Sequence, residues 1–117
     1  MTTSLDGDEE RATIPVELAA KLFRGLGDPT RLRLLLELLE GERRVVDLVA
    51  TVGLAQSTVS AHLACLKGCG LLEVRPQGRQ SFYRLAHDVR ELLGATEVLL
   101  ARTGFEVSLC PNDPLRR

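Results

Sequence analysis

Two cysteines four residues apart, Cys65 and Cys69, are the side chains whose type and spacing most directly suggest chemistry in this sequence. In a helix, residues i and i+4 lie on one face about one turn apart, so two thiolates at this spacing could hold one metal ion. His62 lies close to the same line. The alternative is that both cysteines are small packing residues at the edge of a core, because free cysteine is often buried.

A third cysteine, Cys110, lies in an otherwise polar segment, where burial in a core would not account for it. An exposed thiol is a chemical liability, which favours a ligand or a redox role at this position. Three soft thiolates without an evident fourth ligand favour a soft ion of low coordination number over tetrahedral structural zinc. The placement therefore predicts a metal site made of Cys65, Cys69 and Cys110.

Length and composition restrict the kind of protein that could carry such a site. The 117 residues, 44% of them hydrophobic, with a net charge of -1, indicate one small globular domain. No stretch of 18 uninterrupted apolar residues and no signal peptide are evident, so we expect no membrane anchor and a cytoplasmic protein. An odd number of cysteines in a reducing compartment disfavours a disulfide framework. Only 3% of the residues are aromatic, which argues against folds that stack single-stranded bases.

The elements that must position these cysteines follow from hydrophobic periodicity. Residues 16–27 have one apolar helical stripe. A leucine-rich and therefore buried helix follows, with Asp28 as its N-cap, Pro29 at its first position and Gly41 as its end. Two further helices, over residues 45–53 and 54–70, are separated by a tight turn, which is the spacing of a helix-turn-helix.

The pattern then changes to two strands and a last helix. Residues 71–85 are rich in β-forming side chains and contain a Gln77-Gly78 break, which predicts a two-stranded hairpin, or wing. Residues 87–104 return to helical periodicity. The predicted fold is mainly α with a β-hairpin wing, a winged helix-turn-helix of order α-α-α-α-β-β-α. We expect a flexible acidic leader over residues 1–14, one domain for DNA binding and dimerisation over residues 15–104, and a tail carrying Cys110 over residues 105–117.

The second helix of the helix-turn-helix has the character of a DNA-reading helix. Val59, Leu63 and Leu66 share one face and should pack inward, while the opposite face is small and polar. Small side chains allow the backbone to approach the major groove, and hydroxyl and amide groups can bond base edges or phosphates. The alternative is that the serines only solvate the helix. The predicted DNA-binding residues are Gln56, Ser57, Thr58, Ser60, His62, Lys67 and Arg79.

The distribution of charge supports DNA as the partner, although the whole chain is slightly acidic. Between residues 56 and 86 the sequence has four basic side chains and one acidic one, a local charge of +3. Arg79 follows the predicted wing turn, where it could reach the DNA backbone or the minor groove. The alternative is that arginines on an exposed hairpin only increase solubility.

Three ordered segments, "LGDPTRLRLLLELL", "LAQSTVSAHLACLKGCGLLE" and "GRQSFYRL", resemble the ArsR/SmtB family of metal-responsive repressors over roughly residues 16–103. The resemblance implies a winged-helix dimer that binds operator DNA. Cadmium and lead sensors of this family have a similar "CLxGCGL" segment and a distant third cysteine. That similarity implies that Cys65, Cys69 and Cys110 are the ligands and that Cd²⁺ or Pb²⁺ is the inducing ion, with Zn²⁺ as the alternative.

Two other metal sites of the family have no counterpart in this sequence. The segment "ERRVVDLV" contains no Cys-x-Cys, and the last helix has His87 without a second histidine. A lone histidine there is expected to be only a residue at the start of the helix.

The predicted function is a metal-sensing repressor that leaves its operator when the metal binds. A homodimer is expected because one small domain leaves the apolar stripes of its first and last helices uncovered. No paired nucleophile and base, phosphate-binding glycine loop or carboxylate cluster indicates an enzyme, and we expect no organic cofactor, no small organic substrate and no membrane partner.

Two further functions stay open. The first is a thiol-based redox repressor, in which Cys65 and Cys69 form a disulfide or Cys110 resolves an oxidised thiol. The second is a plain protein-interaction module, which would bind no specific DNA.

Overall fold

The computed structural model describes residues 13–103. The elements follow the predicted order, and the fold class is confirmed. The helices are α1 (Val16–Leu26), α2 (Pro29–Glu37), α3 (Val45–Val52), α4 (Gln56–Gly68) and α5 (Val89–Arg102), and the strands are β1 (Arg43–Arg44), β2 (Leu72–Gln77) and β3 (Gln80–Leu85). Residues 1–12 of the predicted leader and the whole predicted tail, with Cys110, lie outside the described residues. The elements up to Leu85 belong to one compact unit and α5 belongs to a second.

Helix α2 begins as its sequence predicts and ends earlier. The Asp28 carboxylate accepts a hydrogen bond from the Arg31 backbone N–H at 3.0 Å, and Pro29 occupies the first turn. The α-helix stops at Glu37, and a 3₁₀ turn, Leu38–Glu40, continues to Gly41, which was the predicted end. The tighter last turn is a common way to satisfy terminal carbonyl groups. The segment is not buried all round, because Leu36 is 52% exposed.

The core of the first unit is formed by leucine and valine side chains from α2, α3 and α4 and from the start of β2. These side chains are almost inaccessible to solvent, and they include the three that were predicted for the inner face of α4. The core residues are Leu34, Leu35, Leu38, Leu48, Val59, Leu63, Leu66, Leu71 and Leu72.

Helices α3 and α4 form the predicted helix-turn-helix. Helix α3 ends at Gly53, whose φ of 73° is a left-handed conformation that glycine adopts without strain. The axes of α3 and α4 are bent by 114° relative to each other. Within residues 13–103 no single helix is long and apolar enough to cross a membrane, and the bent pair α3 and α4 meets that test by length and composition only.

The wing is a three-stranded antiparallel sheet of order β1-β3-β2, whereas two strands were predicted. Strands β2 and β3 pair from Leu72 opposite Leu85 to Gln77 opposite Gln80, so Gly78 and Arg79 alone form the loop. The extra strand, β1, pairs with β3 at Tyr83 and Phe82. Two residues carry no periodicity that a sequence could reveal, and their strand conformation depends on pairing with a distant segment.

Candidate nucleic-acid interface and metal centre

The exposed side of α4 presents the residues predicted to read DNA. Val59, Leu63 and Leu66 are fully buried and fix the rotation of the helix about its axis. The opposite side therefore faces solvent, as predicted. Gln56, Ser57, Thr58, Ser60 and Lys67 are exposed, and His62 is half-buried.

The wing loop brings one further predicted residue to the surface. Arg79 is the second residue of the two-residue loop and is exposed. It makes no ion pair within residues 13–103, which leaves its guanidinium available for phosphate there. A charged side chain at the end of a two-stranded ribbon can reach a DNA backbone that the rest of the sheet does not touch.

The other two wing arginines are held by acidic neighbours. Arg75 forms a 2.7 Å ion pair with Glu42, and its guanidinium lies 4.9 Å from the centre of the Phe82 ring. Arg84 contacts Glu73 at 2.9 Å and Glu42 at 3.8 Å. The hydrogen bonds from Arg75 hold the pKa of Glu42 below its ordinary value of 4.5. The local charge of +3 thus overstates the free positive charge of the wing, because Glu42 lies outside the counted segment.

A groove of about 270 Å³ lies where the helix-turn-helix meets the wing. Its walls combine apolar residues at the start of α3 with polar residues from α4, the wing loop and β3. The lining residues are Arg44, Val45, Val46, Gln56, Arg79, Gln80, Ser81 and Tyr83. Only Gln56 and Arg79 were predicted as DNA contacts. The others were missed because their convergence depends on the pairing of β1 with β3.

Arg44 lines this groove but is engaged by Asp47. The Asp47 carboxylate accepts hydrogen bonds from the Arg44 backbone N–H at 3.0 Å, from Nε at 3.2 Å and from Nη2 at 3.1 Å. This contact holds the pKa of Asp47 below its ordinary value of 3.8. Arg44 therefore contributes a fixed wall, and Arg79 is the lining cation that no described carboxylate engages.

The end of α4 explains the position of the second cysteine. Cys69 is the C-cap, and Gly70 follows with a φ of 79°. The Gly70 N–H donates to the Lys67 carbonyl at 3.0 Å, and the Leu71 N–H donates to the Leu66 carbonyl at 3.0 Å. These two bonds are those of a Schellman motif, which ends a helix with a left-handed glycine. Cys69 is thus fixed at the very end of α4, while Cys65 lies one turn before it.

The two cysteines differ in their surroundings. Cys65 is exposed and Cys69 is half-buried. The Cys69 sulfur lies 3.7 Å from the Lys21 carbonyl oxygen of α1, within hydrogen-bonding range for a thiol donor. Burial raises the pKa of Cys69, and the adjacent Cys65 thiol raises it further. Because the pKa responds to Cys65, the two thiols are neighbours, as the spacing predicted.

The donor set fits a soft metal ion in part. Two neighbouring thiols, one of them open to solvent, form a pair to which a thiophilic ion can gain access. Within residues 13–103 no three potential ligands of the Cys, His, Asp and Glu types come together. The predicted third ligand, Cys110, lies outside the described residues. His87 is exposed and lies 3.1 Å from Asp88, just before α5, which agrees with its expected place at the start of that helix.

Comparison with known proteins identifies relatives of the whole helix-turn-helix segment. Residues 28–74 match the family model for bacterial regulatory proteins of the arsR family. The chain is 48% identical over 84 residues to the HTH-type transcriptional regulator CmtR of Mycobacterium tuberculosis, an alignment that covers 70% of this chain and 71% of that protein. It is 34% identical over 115 residues to a probable mercury resistance operon repressor of Streptomyces lividans, covering 95% of this chain and 92% of that protein.

Solved structures show the same fold. A homodimeric winged helix-turn-helix DNA-binding domain from Mycobacterium bovis, a possible ArsR-family regulator, superposes with a TM-score of 0.73 at 28% identity and covers 94% of this chain and 99% of that one. Reduced HlyU from Vibrio cholerae gives a TM-score of 0.63 at 30% identity and covers 85% of this chain and 97% of that one. The curated relatives are named as transcriptional regulators rather than enzymes, as the sequence predicts.

Proposed function

The chain belongs to the ArsR family of bacterial transcriptional regulators, and from that premise we propose that it is a repressor released from operator DNA by a soft metal ion. The observation that carries the proposal is the division of α4. Its first half exposes small polar side chains, and its end carries two neighbouring thiols, so one rigid helix bears both the reading residues and the metal-binding pair.

The DNA-binding part of the proposal assigns α4 to the major groove. Gln56, Ser57, Thr58 and Ser60 contact base edges or nearby phosphates, while His62 and Lys67 contact the DNA further along the helix. Arg79 binds the backbone beside the wing. The groove between α4 and the wing then accepts one backbone phosphate, since its polar lining and its unpaired arginine match the charge and the hydrogen-bond acceptors of that group.

A homodimer gives this interface its two-fold repeat. Helix α1 exposes Val16, Leu18 and Phe23, and helix α5 separately exposes Val98 and Leu99, which are large apolar side chains that a monomer would leave in water. A structural relative is described as homodimeric. Two copies would place their α4 helices about 34 Å apart, in successive major grooves of an imperfect palindrome.

The metal part of the proposal assigns Cys65, Cys69 and Cys110 as ligands. Cd²⁺ or Pb²⁺ is the proposed inducer, with Zn²⁺ as the alternative, and the protein acts in the cytoplasm. Bound to thiolate sulfurs, the ion supplies a covalent-like link between the end of α4 and the tail. The similarity to a probable mercury resistance operon repressor supports a soft metal as the signal. Ion and operator then oppose each other through a coupling free energy of about 1 to 3 kcal/mol.

Redox sensing by the same thiols is the second candidate. The contact between Cys65 and Cys69 and the similarity to a protein solved in a reduced form favour it. The raised pKa of Cys69 argues against it, because peroxide reacts with thiolates and a raised pKa reduces their population at neutral pH. A metal ion displaces the proton when it binds and is less hindered by that shift.

One experiment separates the two candidates. Fluorescence anisotropy of a labelled operator is followed while the full chain is titrated with Cd²⁺ or, in a parallel sample, with hydrogen peroxide. The proposal predicts release by a stoichiometric amount of Cd²⁺, which a chelator reverses, and little release by peroxide. Release by peroxide alone, reversed by a reductant, would establish the redox candidate instead.

Substitution of each cysteine by serine adds a site-specific test. Cys65→Ser and Cys69→Ser should abolish tight metal binding, because each leaves a single thiolate on α4. Cys110→Ser should weaken binding less and impair release, because the pair on α4 is intact. Ala95→Ser, an exposed position of α5, is the matched control for adding a hydroxyl. Wild-type release by Cd²⁺ in all three cysteine variants would contradict the metal assignment.

A further inference from the structure

Helix α1 contacts the Cys69 sulfur directly. The sulfur lies 3.7 Å from the Lys21 carbonyl oxygen, although the two residues are 48 positions apart in the sequence. The Lys21 carbonyl belongs to the middle of α1, and Cys69 is the C-cap of α4. The thiol pair proposed for metal binding therefore adjoins α1 as well as solvent.

Gly25 provides the space for this contact. It is the buried residue of α1, and a Cβ atom built on it would lie 3.1 Å from the Cys69 sulfur and 3.6 Å from Leu71 Cδ1. The φ of Gly25 is not in the left-handed region, so backbone conformation does not require glycine here. What favours glycine is the close approach of the α4 end to α1.

The same part of α1 is held from its other side by α2. Arg31 Nε donates to the Gly25 carbonyl at 3.0 Å, and Arg31 Nη2 donates to the Arg24 carbonyl at 3.1 Å. These bonds satisfy carbonyl groups at the end of α1. The last two turns of α1 are thus fixed by one arginine from α2 and by one cysteine from α4, and only the cysteine belongs to the proposed metal site.

We infer that the contact between Cys69 and α1 couples the metal site to the position of α1, and that Gly25 is a positioning residue for the Cys69 sulfur. The inference rests on the proposed function, since it assumes that Cys69 binds the ion. When a metal–sulfur bond forms, the S–H bond is replaced and the proton passes to water. The sulfur then has no hydrogen to donate to the Lys21 carbonyl, so two acceptors face each other and the contact opens.

The consequence reaches a surface that matters for assembly. Val16, Leu18 and Phe23 of α1 are the exposed apolar side chains proposed for the dimer. A shift of α1 on metal binding would change how the two copies meet and hence the spacing of their reading helices. Coupling through α1 needs no direct contact between the ion and DNA.

The test follows backbone amides by NMR while Cd²⁺ is added to the full-length wild-type chain, with ultraviolet absorption reporting thiolate–metal bonds in the same samples. The amides of residues 21–25 should shift several-fold more than those of Arg33 and Leu36, exposed residues of α2. Absorption that saturates without shifts in α1 would overturn the inference and leave the metal site intact. Absence of the absorption would contradict the proposed function and the inference together.

A pair of glycine variants tests the role of Gly25. Gly25→Ala should push the sulfur away from α1, so a neutral thiol reagent should modify Cys69 several-fold faster in a chain whose other two cysteines are serine. Gly94→Ala in α5 is the control, because a Cβ there meets nothing within 4 Å. Equal modification rates in the two variants would overturn the positioning role. If Gly25→Ala does not fold, the wild-type NMR titration still decides the inference.

Discussion

The two ends of α4 have opposite surroundings. At the first end, Gln56, Ser57 and Ser60 face solvent, and Ala55 caps the helix without a side-chain bond. At the second end, a Schellman motif fixes Gly70 and the Cys69 sulfur contacts α1. One end is open for a partner, and the other is tied to the rest of the unit.

This difference shows how a small domain could link a signal to DNA without a separate sensor domain. A helix is stiff over its 13 residues, so a displacement imposed at the tied end is carried to the open end. The core side chains between the two ends, Val59, Leu63 and Leu66, hold the helix at one rotation. The comparison therefore predicts that variants at the two ends fail in different assays.

The largest effect is expected where the two ends share the core. Leu63→Ala removes a fully buried side chain and should lower the free energy of unfolding by about 2 to 5 kcal/mol. Ser60→Ala, on the exposed face of the same helix, should change it by less than about 0.5 kcal/mol. Urea denaturation followed by circular dichroism measures both. Similar losses in the two variants would show that the inner and outer faces are not distinct.

The next effect separates the wing arginines. Arg79→Ala should weaken binding to all DNA sequences and reduce the slope of log K against log salt by about 0.9, the contribution of one phosphate contact. Arg75→Ala should leave that slope unchanged, because Glu42 already engages Arg75. Anisotropy titrations at several salt concentrations measure the slopes. Equal reductions in both variants would mean that Glu42 releases Arg75 to DNA.

A smaller effect is expected at the open end of α4. Ser60→Ala should reduce the preference for operator over random DNA by about 0.5 to 1.5 kcal/mol, the usual contribution of one hydrogen bond. It should leave Cd²⁺ binding unchanged, since Ser60 is remote from the thiol pair along the helix. Competition titrations with random DNA provide the measurement. Loss of metal binding with intact DNA preference would reverse the assignment of the two ends.

The smallest effect concerns the acidic partner of the wing arginines. The folded state lowers the pKa of Glu42 below 4.5, so its ionised form stabilises the fold at neutral pH, and that contribution is lost as pH falls through the lowered pKa. Glu42→Gln should therefore be slightly less stable than wild type at neutral pH and equally stable in acid. Urea denaturation at both pH values checks this. A stability difference that persists in strong acid would exclude the ion pairs as its cause.

The sequence predicted those features that depend on local pattern. The inward stripe of Val59, Leu63 and Leu66 follows from helical periodicity, and the Asp28 cap follows from residue preferences at helix starts. Both are properties of short segments.

Features that depend on distant pairing were not predicted. Strand β1 exists because Arg43 and Arg44 pair with β3, and the approach of Cys69 to Lys21 and Gly25 joins segments far apart in the chain. A sequence pattern contains no direct record of such contacts. The metal assignment of Cys110 stays a prediction, because that residue lies outside the described part of the chain.

The central claim is that metal binding at one end of α4 releases DNA from the other. Ultraviolet absorption and operator anisotropy, recorded on the same sample during a Cd²⁺ titration, test it most directly. The account predicts that thiolate–cadmium absorption and DNA release rise together to one ion per site, and that Cys69→Ser loses both while still binding DNA. Release of DNA by Cys69→Ser at the wild-type Cd²⁺ concentration, or saturated absorption with the operator still bound, would contradict it.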